Sequence, residues 1–194
     1  GDVYKRQFNN IMSNNVVREL TPIEIRTVVD EFISSISADC QKSNITFLTP
    51  QYNGVLLFTR PMHSSEWSSI LFNFYTNSKK AIYRKGEKGI IGIECGVSEK
   101  MIYLEFSDNG IGIPEEYEER IFDEFFTTTS AMNYEDIDSV NAVLGTGLGL
   151  KIVKDIVESY KGRIFVTSPK NQFNTCIRVE IPMLDDKDFE KYGL

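Results

Sequence analysis

The chain has 194 residues, 41% hydrophobic and 25% charged, the proportions of a globular domain of moderate size. A net charge of -7 argues against a broad nucleic-acid-binding face, and no apolar run approaches membrane-spanning length. Cys40, Cys95 and Cys176 lie far apart without metal-ligand spacing, which fits a reduced, cytoplasmic protein.

Residues 1–20 read as a leader or linker: "GDVYKRQFNN" lacks the apolar stretch of a signal peptide and fits no structural pattern. The folded domain is expected over 21–184. "TPIEIRTVVDEFISSISADCQ" predicts a helix with Thr21 as N-cap and Pro22 at its first position, and Ile25, Val28, Val29, Phe32 and Ile36 on one face. "NITFL" and "GVLLFT" predict short strands joined through Pro50 and Gly54. "SSEWSSILFNFYTNSKKAIYRK" predicts a second amphipathic helix that Gly86 ends. "GIIGIECGV" and "MIYLEFSD" predict a hairpin around Ser98, Glu99 and Lys100. "GLGLKIVKDIVESYKG" predicts a third helix closed by Gly162, and "RIFVTS" and "TCIRVEIP" two final strands. Residues 185–194, "DDKDFEKYGL", read as an acidic tail. This order predicts a mixed sheet with its helices on one face.

Three segments carry chemistry. "DNGIG" follows an alternating strand that delivers the Asp108 carboxylate to a sheet edge, where Gly110 and Gly112 let the backbone pass close to a ligand. Asp-Asn-Gly is also common turn chemistry, so the segment alone fits both readings. "GTGLGL" precedes a helix, and free N–H groups at a helix N-terminus suit phosphate. It is not a P-loop, because no Gly-Lys-Ser/Thr follows. Asn73, Asn77 and Lys80 share one face of the middle helix, offering an amide oxygen to Mg²⁺ and a cation to phosphate.

In order and spacing, "NFYTNSKKA", "DNGIG", "IFDEFFTTT" and "GTGLGLKIV" resemble the N box, first glycine box, phenylalanine box and second glycine box of sensor histidine kinase ATP-binding domains. That family lies within the larger group that includes gyrase, Hsp90 and MutL. The likeness runs from about Thr21 to Pro182 and implies a Bergerat-type fold, an α/β two-layer sandwich with a mostly antiparallel sheet and ATP under a lid. It implies that Asp108 accepts from the adenine amino group and that Gly110 and Gly112 line the base pocket. Asn77 would hold Mg²⁺ and Lys80 would reach the phosphates. Gly145, Thr146, Gly147, Leu148 and Gly149 would wrap the phosphates, and Phe122, Phe125 and Phe126 would anchor the lid.

Gyrase-like and Hsp90-like ATPases carry a water-activating glutamate one turn before the magnesium asparagine. Asn73 stands there in this chain, and an amide is no general base. The resemblance therefore favours phosphoryl transfer over hydrolysis, with Asn73 and Lys80 in the catalytic set. An Hsp90-type switch and a nucleotide-binding regulatory module are the alternatives.

Two departures stand out. Cys176 occupies the place, six residues before Pro182, where the family often has threonine. The lid segment from Thr128 to Gly145 is long and acidic, and its 129–144 stretch is expected to be mobile without ligand. The single histidine, His63, is followed by two serines rather than the acidic residue that follows a phosphoacceptor. The expected partners are a histidine-bearing dimerisation hairpin domain and a response regulator, with no nucleic acid and no direct membrane contact by this domain. "FNNIMSNNVVREL" would be the remnant of the connection to that hairpin, and a full-length protein could be membrane-anchored.

Overall fold

The computed structural model describes residues 20–126 and 148–194. Among them, one mixed sheet carries helices on one face. Helix α1 (Ile25–Lys42) buries Ile25, Val29, Phe32, Ile36 and Cys40, the stripe that a 3.6-residue period aims at a sheet. It starts later than Thr21. Glu24 is the N-cap, and its carboxylate accepts from the Thr27 N–H at 2.8 Å. The residues before it pair instead with a distant segment: Thr21 bridges Met62, and the Ile25 N–H donates to the Leu57 carbonyl at 2.9 Å. Burial of Ile23 and Leu57 favours this pairing over another helical turn.

Strands β1 (Ile45–Phe47) and β2 (Gln51–Asn53) both pair parallel to β3 (Gly89–Ser98). The "GVLLFT" segment is not a strand. Gly54, with φ of +135°, turns the chain, and Phe58 and Thr59 make single bridges to Glu24 and Met183. Helix α2 (Ser64–Lys85) ends at Gly86 in the left-handed region, as the glycine predicts, with its N–H donating to Ile82 and Tyr83. Strand β4 (Met101–Asp108) returns antiparallel to β3 through Glu99 and Lys100, both at positive φ, the twist a two-residue hairpin loop needs.

After two short 3₁₀ turns, Glu115–Tyr117 and Arg120–Phe122, the described chain resumes at Leu148 and enters α3 (Gly149–Ser159). Strands β5 (Arg163–Thr167) and β6 (Thr175–Pro182) complete a sheet of order β1-β3-β4-β6-β5, with β2 also on β3. Its neighbours are antiparallel except β1 and β2, so the α/β two-layer sandwich with a mostly antiparallel sheet is as expected. The acidic end, by contrast, is no free tail. Asp186–Tyr192 forms helix α4; Phe189 packs edge-on against Phe58 at 5.8 Å, and Arg60 pairs with Asp185 at 3.3 Å.

Alternation along the strands separates two environments. Ile102, Leu104 and Phe106 of β4 and Ile177, Val179 and Ile181 of β6 face the helices. Trp67, Ile70 and Leu71 of α2 meet them with no exposed area, and each such side chain contributes about 1.5–3 kcal/mol relative to exposure. The opposite sheet face is polar. Arg178 joins Glu105 at 3.2 Å and Glu180 at 2.8 Å, and Arg163 joins Glu180 at 2.7 Å. Burial works against the Glu180 charge, but hydrogen bonds from Arg163 and Arg178 hold its carboxyl below the usual range.

Candidate functional site

A cavity of about 450 Å³ opens between α2, the start of α3 and the ends of β4 and β6. At its foot β4 delivers Asp108, only 4% exposed. One carboxylate oxygen accepts from the Ser78 hydroxyl at 2.7 Å and the other from the Gly110 N–H at 2.8 Å. Burial raises the Asp108 carboxyl above the ordinary carboxylate value, and these two donors work in the opposite direction. A buried carboxylate with lone pairs toward an apolar-walled cavity is an acceptor for a ligand donor.

"DNGIG" forms a turn that borders the cavity through Asp108, Ile111 and Gly112. The Asn109 side chain works for the turn: its Oδ1 accepts from the Ile90 N–H at 2.7 Å, and its Nδ2 donates to the Lys88 carbonyl at 2.9 Å. Gly110 is forced by contact, since a Cβ there would lie 2.6 Å from the Ala81 carbonyl carbon. Gly112 has φ of +82°, which favours glycine, and lines the cavity.

The polar stripe of α2 forms the opposite end. Asn73, Asn77 and Lys80 all line the cavity, half-buried, as their spacing predicts. Burial, then the nearby Arg84 charge, pull the Lys80 ammonium below its ordinary value. Asn73 donates to the Ser69 carbonyl at 2.8 Å, and a Cβ on Gly149 would lie 2.7 Å from Asn73 Oδ1. The amide therefore abuts the first residue of α3. Leu148 is the N-cap of that helix, while Gly145, Thr146, Gly147 and the expected lid segment lie outside the described residues.

Of the three lid phenylalanines, Phe122 is buried, and Phe126 lines the cavity and packs at a tilt against Tyr117, with ring centroids 5.5 Å apart. Phe125 is 66% exposed at positive φ. His63 caps α2 and does not line the cavity. Asn73 lies ten residues further along the helix, or about 15 Å at the helical rise.

Outside the motifs the structure adds Arg84 and Asn174 to the site, and it gives roles to Ser78 of the N box and to Thr175 beside Cys176. Ser78 and Arg84 extend the α2 stripe, and Asn174 flanks the turn. Thr175 pairs with Asp108 across β4 and β6 and faces the cavity. Cys176, one residue on, points to the other sheet face, with its sulfur 3.9 Å from Glu105. Alternation thus puts Thr175, and not Cys176, beside Asp108 on the cavity side.

A buried acceptor at one end of a cleft and amides with an ammonium at the other define a nucleotide-binding α/β sandwich. The model of the histidine kinase-, DNA gyrase B-, and HSP90-like ATPases matches residues 63–185. The chain belongs to this ATPase family.

Sensor protein kinase WalK of Staphylococcus haemolyticus is 35% identical over 130 residues, 64% of this chain and 19% of that protein. The chain thus spans about a fifth of the curated relatives' length. A catalytic-domain structure of histidine kinase ThkA, 25% identical, superposes with a TM-score of 0.67 over 85% of this chain and 98% of its own. ThkA in complex with the response regulator protein TrrA shares the fold at 23% identity, with a TM-score of 0.62 over 94% of this chain and 48% of the ThkA chain.

Proposed function

We propose that this domain binds ATP with Mg²⁺ and presents the γ-phosphate to a histidine on a separate helical hairpin domain, as the catalytic part of a sensor histidine kinase. The observation that carries the reading is the alignment of Asp108, Asn77 and Lys80 along one cavity. Asp108 would accept from the adenine amino group beside Gly110 and Gly112. Asn77 supplies a hard amide oxygen, the kind of ligand Mg²⁺ takes beside phosphate oxygens and water. Asn77 lines the cavity on the same helical face as Lys80, where its amide oxygen would stand beside the phosphates. The metal, when bound, neutralises phosphate charge.

Lys80 would contact the phosphates, and its desolvated ammonium favours an anionic partner. Gly149 and Leu148, at the N-terminus of α3, would place N–H groups and the positive helix end toward them, with Gly145, Thr146 and Gly147 completing the loop. Asn73 holds the start of α3 against α2 and lacks the basicity to activate water, so hydrolysis is slow and the nucleophile comes from the partner. His63 caps the end of α2 that lies away from the cavity and is not the acceptor. A response regulator receives the phosphate downstream, by analogy with the partner of ThkA. Among the described residues no helix is long and apolar enough to cross a membrane.

The test is incubation with labelled ATP and an added hairpin domain. Acid-labile label on the hairpin, lost with Asn77→Ala, is the expected result. Label confined to this chain and removed by His63→Ala defeats the proposal.

A further inference from the structure

Asn174 lies on the loop between β5 and β6, outside every motif in the sequence. Its backbone N–H donates to the Asp108 carbonyl at 2.8 Å. Its side-chain Nδ2 donates to two successive carbonyls, Asn109 at 3.2 Å and Gly110 at 2.9 Å. Those carbonyls belong to the two peptide planes that link Asp108 to Ile111, both of which line the cavity. The plane containing the Asn109 carbonyl also contains the Gly110 N–H, which holds one Asp108 carboxylate oxygen at 2.8 Å. The plane containing the Gly110 carbonyl also contains the Ile111 N–H, which donates to the Ala81 carbonyl of α2 at 3.2 Å. A peptide plane turns as one body, so an amide that fixes its oxygen also fixes the direction of its N–H.

We infer that Asn174 is the positioning residue of the base end, clamping both planes so that the Gly110 N–H holds the Asp108 carboxylate toward the ligand in one fixed geometry. The inference rests on the nucleotide reading above for its ligand, but the clamp itself is a property of the ligand-free chain. Asn174 is well placed for it. The next residue, Thr175, is paired with Asp108 in the ladder, so the amide has little freedom to lose on closing. The other anchors of the turn come from the layers themselves, Asn109 to the strand β3 side and Ile111 to α2. Asn174 reaches it from the β5–β6 loop and bonds two successive carbonyls with one amide. A loop substitution could therefore loosen base recognition while leaving the sheet and helices intact.

The experiment uses this chain with Asn174→Ala and Asn174→Asp, the latter nearly the same shape without donors. Residue-resolved amide exchange is measured without nucleotide, and ATP, ADP and GTP affinities by calorimetry. In both variants the Gly110 and Ile111 amides should exchange about tenfold faster relative to Leu104 and Val179, for the loss of two hydrogen bonds. ATP and ADP affinities should fall by the same factor, about tenfold, and the preference for ATP over GTP should shrink. Unchanged exchange at those two amides overturns the inference, as does an equal loss for ATP and GTP. Failure of the wild-type chain to bind any adenine nucleotide defeats the proposed function, and the exchange result then decides the clamp alone.

Discussion

The two ends of the cavity are built differently. At the base end the Asp108 carboxylate is buried, both its oxygens are engaged, and the turn after it is tied to β3, α2 and the loop before β6. At the other end Asn77 and Lys80 are half-buried on one helical face, and the glycines expected to complete the loop belong to a separate stretch of chain. The contrast matches the ligand. A base is flat and is the same before and after transfer, so a rigid site costs little and gives selectivity. Phosphates change charge and connectivity during transfer, and their site must form and release contacts each cycle.

This division breaks down if substitutions at the two ends have interchangeable effects. The largest expected effect is that of Asn77→Ala, which should lower phosphotransfer to an added hairpin by about 100-fold or more, the scale of losing one preorganised electrostatic group. Adenosine affinity should stay nearly unchanged in the same variant, as calorimetry can check.

Next comes Asp108→Asn, expected to cost about 1–3 kcal/mol of affinity for every adenine nucleotide through loss of a charge-assisted hydrogen bond. The same change should raise the melting temperature of the ligand-free domain at neutral pH. Burial raises the Asp108 carboxyl value in the folded state, so ionisation destabilises the fold as pH rises through that value. The difference between variant and wild type should therefore narrow toward acid, where the wild-type carboxyl is protonated. A variant that binds ATP normally, or melts lower at neutral pH, removes the base end from the comparison.

Gly110→Ala sharpens it. A Cβ 2.6 Å from the Ala81 backbone cannot be accommodated without a shift, so about 1–3 kcal/mol of stability should be lost in denaturant titration. Smallest is His63→Ala, within about 0.5 kcal/mol in stability because the side chain makes no cap hydrogen bond, and without effect on transfer.

What could be read from sequence follows the range of the forces involved. Helix α2, its glycine end and the β3–β4 hairpin are set by local periodicity and turn chemistry, and Asn73, Asn77 and Lys80 follow from helical spacing. The start of α1 and the "GVLLFT" segment were misread because their partners are distant. Ile25 and Leu57 share a hydrogen bond that no local pattern announces. The acidic tail was misread because its charges hide Phe189, whose packing partner is Phe58. The choice between Thr175 and Cys176 turned on a single residue of strand register. Asn174 was invisible for another reason: an asparagine in a polar loop carries no signal until the carbonyls it reaches are known.

The packing of α4 against Phe58 has a practical consequence. Met183 donates to the Lys100 carbonyl, which anchors the chain following β6 at the hairpin end of β4. Asp108 sits at the opposite end of that strand, seven rises away, or about 24 Å. A dye attached after α4 would thus stand off the cavity by a strand's length, on a helix joined to the same rigid sheet. Resonance energy transfer to a fluorescent adenine nucleotide would then report occupancy directly, without a probe inside the site.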